Sequence, residues 1–245
     1  MRIFFLYALF CVMLSSCTKA QTKEQVFEKV WKAVGGKSKF DKSRYFQFDF
    51  APERGGKAVP ARKHLWDRYS GDYRLETSDA SGKKTIVLFN VNTKAGTVYV
   101  DNVLQQGTEA DQILKKAYGA FINDTYWLMV PLKLQDEGVN TTRDADETVD
   151  GALCNVIHLN FDKVGLTPGD QYWLYVNDKT GEIIRWKFLL QKQPKPSVFN
   201  WMPYQDLGNG LKLSTRKVNI DGKSAINYPV AKVLKKVDKN IFLKP

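Results

Sequence analysis

Residues 171–190, QYWLYVNDKTGEIIRWKFLL, give the clearest indication of how this chain folds. Two apolar runs flank residues 177–181, where Asn, Asp and Gly supply the backbone freedom that a tight turn needs. The second run carries apolar side chains at every other position: Ile184, Trp186, Phe188 and Leu190. Because strand side chains alternate between faces, the stretch predicts an antiparallel hairpin whose second strand has one apolar face.

Alternation with a period of two continues through much of the remaining chain. It is visible in residues 45–50, 157–161 and 211–213. Residues 85–91 are apolar on both faces, which indicates a strand that is covered on both sides. Turn-forming clusters separate these runs at short intervals, so we expect about ten strands in a long antiparallel meander.

Two segments have helical periodicity instead. Residues 22–36 begin with the capping-box pattern of Thr22 and Gln25 and end at a glycine pair, and residues 108–119 carry a second apolar stripe. Together the patterns predict a mainly β, α+β fold. We expect a strongly curved antiparallel sheet, or unclosed β-barrel, with two or more helices covering its concave face.

The N-terminal residues indicate export. Arg2 precedes an apolar run at 3–14, which is too short to cross a bilayer but has the length of a signal-peptide core. The run ends in Cys17 within a four-residue pattern that resembles the lipobox of bacterial lipoproteins, which implies cleavage before Cys17 and its acylation. The alternative is ordinary secretion with cleavage after Ala20. The first reading predicts three parts: a signal peptide at 1–16, a lipid-anchored tether at 17–21 and one domain at 22–245.

Charge and cysteine content narrow the range of partners. The chain has a formal net charge of +11, and basic proteins bind nucleic acid, anionic membranes or acidic ligands. An exported, anchored protein faces a membrane surface, so we expect no nucleic-acid partner. Removal of the signal peptide and acylation of Cys17 leave Cys154 unpaired, which excludes an intrachain disulfide in the mature domain. The apolar neighbours of Cys154 predict that it is buried.

Four segments carry a resemblance to a known family: residues 66–75, 121–131, 172–186 and 201–211. Their aromatic and turn residues resemble those of a Bacteroidota lipoprotein family within the broad LolA/LolB-like (outer-membrane lipoprotein-sorting-like) group. The resemblance implies an unclosed barrel with a helical lid around an apolar cavity. In characterised members of the group, that cavity holds lipoprotein acyl chains or whole lipids. The resemblance includes no catalytic motif, and no residue-level motif assigns a transport role.

A half-open barrel requires helices or a ligand to cover its concavity. Inward-facing aromatic side chains are therefore the candidates for the wall of a ligand cavity. Seven residues are predicted to contribute: Phe48, Trp66, Tyr99, Trp127, Trp173, Trp186 and Phe188. The alternative for each of them is ordinary packing in a closed core.

Residues 192–201 form the most loop-like stretch of the chain. Two prolines in it oppose regular strand pairing, and three apolar residues follow them: Val198, Phe199 and Trp201. We interpret this stretch as a mobile lid over the mouth of the cavity. The alternative is a connection that proline stiffens and that packs onto the domain.

The sequence has no recognisable catalytic or metal-binding motif. His64 and His158 lie outside any metal-ligand spacing, and the chain has no nucleophile elbow, phosphate loop or dinucleotide-binding glycine pattern. Acidic residues alternate at 144–151, but their spacing fails that of a calcium loop and predicts a solvated turn. We expect no catalytic residue, no metal and no cofactor.

Three hypotheses for function follow. The resemblance favours a non-catalytic outer-membrane lipoprotein that faces the periplasm and binds a lipid or acyl chain. The second hypothesis is an envelope scaffold, which has a protein partner and no ligand cavity. The third is an enzyme acting on envelope glycans or lipids, which requires polar residues with perturbed pKa values in a cleft. The residues after Cys17 lack an acidic cluster, which favours the periplasmic side of the membrane.

Overall fold

An antiparallel sheet forms most of the structure, a computed structural model that describes residues 21–162 and 169–245. The helices are α1 (Lys23–Ala33), α2 (Lys37–Asp41) and α3 (Gly107–Met129), and two 3₁₀ helices span Val130–Leu132 and Lys239–Phe242. The strands are β1 (Tyr45–Arg54), β2 (Lys57–Ala58), β3 (Arg62–Asp67), β4 (Asp72–Ser78), β5 (Lys84–Asn90), β6 (Gly96–Val100), β7 (Val103–Gln105), β8 (Val139–Arg143), β9 (Glu147–Val149), β10 (Ala152–Phe161), β11 (Gln171–Asn177), β12 (Ile183–Leu189), β13 (Ser197–Trp201), β14 (Gln205–Gly208), β15 (Leu211–Leu213), β16 (Arg216–Asn219), β17 (Ser224–Asn227) and β18 (Ala231–Leu234).

The main sheet is open and curved. Its continuous path runs β7-β6-β5-β4-β3-β1-β17-β16-β13-β12-β11-β10-β8, and within the described residues its end strands β7 and β8 do not pair with each other. Strands β2, β9 and β18 pair beside this path, and β14 pairs with β15 in a separate sheet. The predicted fold class is confirmed. The described residues contain more strands than the expected ten because several are segments of two to four residues.

Strands β11 and β12 form the hairpin that the sequence predicts. The amide of Gly181 donates to the carbonyl of Asn177 at 2.8 Å and closes the turn. A bulge beside Tyr175 changes the register, so that Ile183, and not Ile184, packs in the same cluster as Trp186. The prediction that Ile184 shares the Trp186 face is therefore wrong, because an inserted residue reverses the alternation.

Helix α1 follows the predicted signals closely. Thr22 accepts from the amide of Gln25, and the Gln25 side chain accepts from the amide of Thr22, so both halves of the capping box are present. Three residues of the helix are buried against the sheet: Val26, Phe27 and Val30. The helix ends before the glycine pair as expected.

Helix α3 is longer than predicted. It continues through Gly119 and the poor helix formers Asn123 and Asp124 to Met129. Burial of Leu128 and Met129 beneath the sheet offsets that weak intrinsic propensity. No helix in the described ranges 21–162 and 169–245 is long and apolar enough to span a membrane.

Strand β1 lies at the centre of the sheet. One edge of β1 pairs with β3, and the other pairs with β17 and β18 near the end of the chain. Phe46, Phe48 and Phe50 are buried on one face of β1, as their alternation predicts. On β5, four consecutive residues are buried, which confirms coverage of both faces: Ile86, Val87, Leu88 and Phe89.

The turn of the β11–β12 hairpin gives a test of the packing between this hairpin and α1. Gly181 has a φ of +74°, and a Cβ there would lie 2.4 Å from the carbonyl oxygen of Lys29. Gly82 has a similar φ of +85° with open space around it. We expect Gly82→Ala to lower the free energy of unfolding by about 1–2 kcal/mol through backbone strain alone. Gly181→Ala should cost clearly more, as measured by urea denaturation, and equal losses would contradict this packing.

Candidate functional site

A cavity of about 690 Å³ lies between α3 and the inner face of the sheet. Helix α3 lines it with consecutive turns from Tyr118 to Trp127. The strands line it from the other side with mostly aromatic side chains: Trp66, Phe161, Tyr172, Trp186, Phe188 and Phe199. The volume falls within the range of about 300–1,000 Å³ that is typical of small-molecule sites.

Trp127 is at the centre of the aromatic wall. Its ring centroid lies 4.7 Å from that of Trp186, 5.1 Å from that of Phe199 and 5.8 Å from that of Phe188. The contacts with Phe199 and Phe188 are edge-to-face, a favoured arrangement of aromatic pairs. The helix and strands β12 and β13 are therefore joined by rings that also form the cavity surface.

Charged and polar side chains mark one end of the cavity. Asp136, Glu137 and Gln193 line it and are exposed to solvent. Lys133 also lines it and forms an ion pair with Asp136. We call this end, formed by residues 133–137 and Gln193, the mouth. It lies between the segment after α3 and the turn that joins β12 to β13.

Four of the seven predicted cavity residues lie on this cavity surface: Trp66, Trp127, Trp186 and Phe188. The other three do not line it. Phe48 is fully buried and stacks on His64 at 4.5 Å between centroids. Its place is thus in the packed core, which was the alternative considered for each candidate.

Tyr99 and Trp173 lie on the opposite face of the sheet. The neighbour of Tyr99, Val98, packs in the cluster beneath α3, so alternation turns Tyr99 away from the helix. Trp173 stacks on His158 at 4.9 Å, while the Lys187 ammonium lies 4.5 Å from its ring. Assigning either residue to the cavity was wrong, because the face of each depends on a register that the sequence did not determine.

The lid interpretation is also corrected. Residues 197–201 form β13, which pairs with β12 on one side and β16 on the other, so they are part of the sheet and not of a loop. Phe199 lines the cavity from this strand, whereas Val198 and Trp201 do not. Trp201 is buried beneath the Lys217 ammonium, 4.6 Å from its ring centroid. The prolines stay outside the strand, in the exposed turn at 191–196.

Sequence reasoning missed most of the contribution of α3, from which it predicted only Trp127. Six further side chains of the helix line the cavity: Tyr118, Phe121, Ile122, Asn123, Thr125 and Tyr126. Those beyond Gly119 were overlooked because the predicted helix ended near that residue. The signal was present, since positions 118, 121, 122 and 125 follow the 3.6-residue period across that glycine.

A buried polar cluster holds α3 to β3. The Asp124 side chain is 0% exposed, and its carboxylate accepts from Arg62 Nε at 2.6 Å and Nη2 at 2.7 Å. His64 Nε2 lies 3.0 Å from the same carboxylate, and His64 Nδ1 lies 2.7 Å from the Tyr73 hydroxyl. Tyr228 donates to the Asp124 carbonyl at 2.6 Å. The bidentate pair with Arg62 fixes both distance and orientation.

The charge states in this cluster follow from burial and hydrogen bonding. Burial opposes the charge on Asp124, but hydrogen bonds from His64 and Arg62 outweigh it and hold the pKa of the Asp124 carboxyl below its ordinary value. Burial lowers the pKa of His64, although Asp124 opposes the shift. A neutral His64 protonated on Nε2 accepts from the Tyr73 hydroxyl at Nδ1 and places its N–H beside the Asp124 carboxylate, with 3.0 Å between the nitrogen and the oxygen.

The cluster positions the helix and lies outside the cavity. Arg62, His64 and Asp124 do not line it, whereas Asn123 and Thr125, which flank Asp124, do.

The only thiol in the described part of the chain, Cys154, is also buried as predicted, and burial raises its pKa. In the predicted acidic turn, Asp146 accepts from Arg143 and Asn155. Within residues 21–162 and 169–245, no group of three potential metal ligands is close enough to hold an ion.

Replacement of Asp124 tests the connection between helix and sheet. Asp124→Ala leaves the Arg62 charge without its partner, and removing one member of a buried pair typically costs about 3–5 kcal/mol. We expect a loss of this order in urea denaturation. The control is Asp41→Ala, which removes a largely exposed i,i+4 pair with Lys37 and should cost less than about 1 kcal/mol. Equal losses in the two variants would show that the Asp124 pair does not hold the helix.

His64 should make stability depend on pH. The unfolded chain binds a proton at His64 below about pH 6.5, whereas the folded chain, with a lowered pKa, binds it only at lower pH. The free energy of unfolding should therefore fall as pH drops from about 8 to 5.5. His64→Gln should remove this part of the loss, and His158→Gln should retain it. A pH dependence that is unchanged in His64→Gln would contradict the assignment.

Comparison with known proteins agrees with the fold. No family model matches the sequence, and no curated protein matches it. Among solved structures, a LolA superfamily protein from Nitrosomonas europaea has a TM-score of 0.56 at 14% identity, covering 91% of this chain and 98% of that one. A DUF1329 family protein from Desulfovibrio piger has a TM-score of 0.53 at 14% identity, with coverages of 89% and 96%.

A third structure, a Vibrio parahaemolyticus domain named for outer membrane lipoprotein sorting, has a TM-score of 0.52 at 8% identity. The match covers 89% of this chain and 96% of that domain. At such identities the likeness establishes a shared fold. The chain therefore has the architecture of the LolA-like group, as its sequence segments suggested.

Proposed function

We propose that this protein is a lipid-anchored envelope protein that binds a hydrophobic ligand, a lipid or a lipoprotein acyl chain, without catalysing a reaction. The observation that carries the proposal is the aromatic cavity of about 690 Å³ beneath α3. A scaffold whose concavity is filled by helices leaves no such space. The cavity therefore favours ligand binding over the scaffold hypothesis.

The surface of the cavity suits an acyl chain. Phe121, Trp127, Phe188 and Leu190 line it and are only partly buried, so apolar surface remains accessible inside the fold. Each methylene transferred from water to such a surface contributes about 0.8 kcal/mol. A chain of about 16 carbons would gain on the order of 10 kcal/mol before the cost of ordering it. This gain needs no specific polar contact.

The buried charged groups with shifted pKa values do not favour an enzyme. Arg62, His64 and Asp124 bond to one another away from the cavity surface. The charged residues that do line it, Lys133, Asp136 and Glu137, lie at the solvent end. A binding role uses the cavity as it stands, whereas catalysis would require a reactive group inside it.

The proposed anchor is Cys17, with a signal peptide at 1–16, a tether at 17–21 and the domain from 22 to 245. Residues 1–20 lie outside the described part of the chain. Gln21 donates to Asp178 at 2.5 Å, which attaches the start of the domain to the β11–β12 turn. Four residues reach at most about 14 Å, so a lipidated Cys17 would hold this turn close to the membrane surface.

This arrangement agrees with a location at the periplasmic face of the outer membrane and with a membrane-surface partner. The fold shared with a domain named for outer membrane lipoprotein sorting is consistent with that location. Membership of a Bacteroidota lipoprotein family, and an envelope protein as a second partner, belong to the same proposal.

Lipid uptake by the chain from residue 18 onward, followed by native mass spectrometry, tests ligand binding. We expect bound lipid or acyl-chain mass in the wild type and its loss in Phe188→Asp, which places a charge on the cavity surface. The control Lys187→Asp changes the neighbouring position on the opposite face of β12 and should retain the ligand. Circular dichroism establishes that the variants fold. A folded wild type that takes up no lipid would refute the proposal.

A further inference from the structure

Two polar atoms on the aromatic wall of the cavity have no hydrogen-bond partner among the described residues. They are Nε1 of Trp186 and the hydroxyl oxygen of Tyr126, and both are buried from water. Both residues line the cavity, and their ring centroids lie 6.2 Å apart. Native proteins rarely retain a buried polar group without a partner, because such a group destabilises the fold.

Aromatic contacts hold the two side chains in place without satisfying their polar atoms. Trp186 is 3% exposed, and its ring packs against those of Trp127 and Phe188. Tyr126 packs edge-to-face on Phe161. An indole N–H can only donate, and a phenol hydroxyl can donate as well, so what the pair lacks is an acceptor.

The charges around the pair favour a neutral acceptor over an anion. Among the described residues, the cation that lines the cavity is Lys133, and it is already paired with Asp136. Burial raises the pKa of the Tyr126 hydroxyl, and the charge of Asp136 adds to this effect, so the hydroxyl stays protonated in a negative potential. An ionised carboxylate beside it would be desolvated without a counter-charge.

The cavity extends well beyond the two donors. Asp136 at the mouth acts on Tyr126, whereas α3 goes on lining the cavity from Tyr126 back to Tyr118, a distance of about 12 Å along the helix axis. An acyl chain can occupy this length while the polar group at its end contacts Tyr126 and Trp186. Both rings border the cavity, and side-chain rotations on binding, which are common, bring their polar atoms to the ligand.

We propose that Trp186 and Tyr126 donate hydrogen bonds to the ester group of an acylated ligand, so that the ester is buried in the cavity together with its chain. An ester offers two acceptor oxygens and carries no charge. The ligand class is therefore a neutral acyl ester and not a bare hydrocarbon chain. This inference rests on the proposed function, because it names the chemical group by which the same cavity recognises its ligand.

The test is a competition between methyl palmitate and octadecane, which have similar lengths and differ in the ester. The chain from residue 18 onward, which contains the whole described fold, is mixed with vesicles of dialkyl phosphatidylcholine that hold equal amounts of both probes. The lipid of these vesicles has ether-linked chains and supplies no ester of its own. Gas chromatography of the separated protein and vesicles gives the enrichment of the ester on the protein.

We expect methyl palmitate to be enriched about fivefold or more, since one hydrogen bond of ordinary net strength changes a binding constant by about twofold to tenfold. Trp186→Phe and Tyr126→Phe each remove one donor and should each lower the enrichment by a factor in that range. Because both probes lose the same apolar contact when a ring becomes smaller, their ratio reports the polar contact alone.

Two matched controls should keep the enrichment of the wild type. Trp201→Phe also removes a buried indole N–H without a partner among the described residues, but Trp201 does not line the cavity. Tyr175→Phe removes the hydroxyl of a tyrosine that packs with Trp173 on the opposite face of the sheet.

The stability of the unliganded protein gives a second measure. Tyr126→Phe breaks no hydrogen bond within the protein, so its urea midpoint should equal or exceed that of the wild type. A clearly lower midpoint would show that the hydroxyl has a partner inside the fold, and the proposal would be overturned.

The outcomes of the competition separate the two proposals. If neither probe is bound, the proposed function itself fails. If the protein binds both in the ratio found in the vesicles, ligand binding stands and the assignment of an ester is overturned. If the enrichment persists in Trp186→Phe and Tyr126→Phe, or falls as far in Trp201→Phe, these two side chains are not the donors.

Discussion

The ion pair between Asp124 and Arg62 is the interaction on which the remaining architecture depends. It places a carboxylate from the middle of α3 directly on β3, and His64 Nε2 lies 3.0 Å from the same carboxylate. A bidentate contact of this kind permits little sliding or rotation of the helix. The turns on either side of Asp124 supply one wall of the cavity, so the position of that wall is determined by a polar contact that lies outside it.

The cavity exists because helices α1 and α3 cover only part of the inner face of the open sheet. The path from β7 to β8 has more inner surface than α1 and α3 fill, and aromatic rings occupy the margins of the space that remains. Rings suit this role because edge-to-face contacts connect them without filling the volume, as Trp127 does with Phe188 and Phe199. The same side chains therefore pack the helix against the sheet and form the wall of the cavity.

Features with local causes could be predicted from the sequence, and those with distant causes could not. The β11–β12 turn and the capping box of α1 depend on neighbouring residues, and both were predicted correctly. The second half of α3 contains weak helix formers that only tertiary contacts stabilise, so its cavity residues were missed. The faces of Tyr99 and Trp173 depend on register, and β13 depends on pairing with β16, none of which a periodic pattern determines. For this reason only four of the seven cavity candidates lie on the cavity surface.

The central position of β1 also has a consequence for how the chain folds. Ala51 pairs with Asn227, 176 residues later, and β18 pairs with the first half of the same strand. Until those late strands arrive, β1 presents a free edge between an incomplete core and solvent, which is a template for association with other chains. Because synthesis delivers the early strands first, the two halves of the sheet must remain separate until residues 224–234 have emerged. Pairing of β1 with β17 and β18 then becomes the step that commits the domain to its native state.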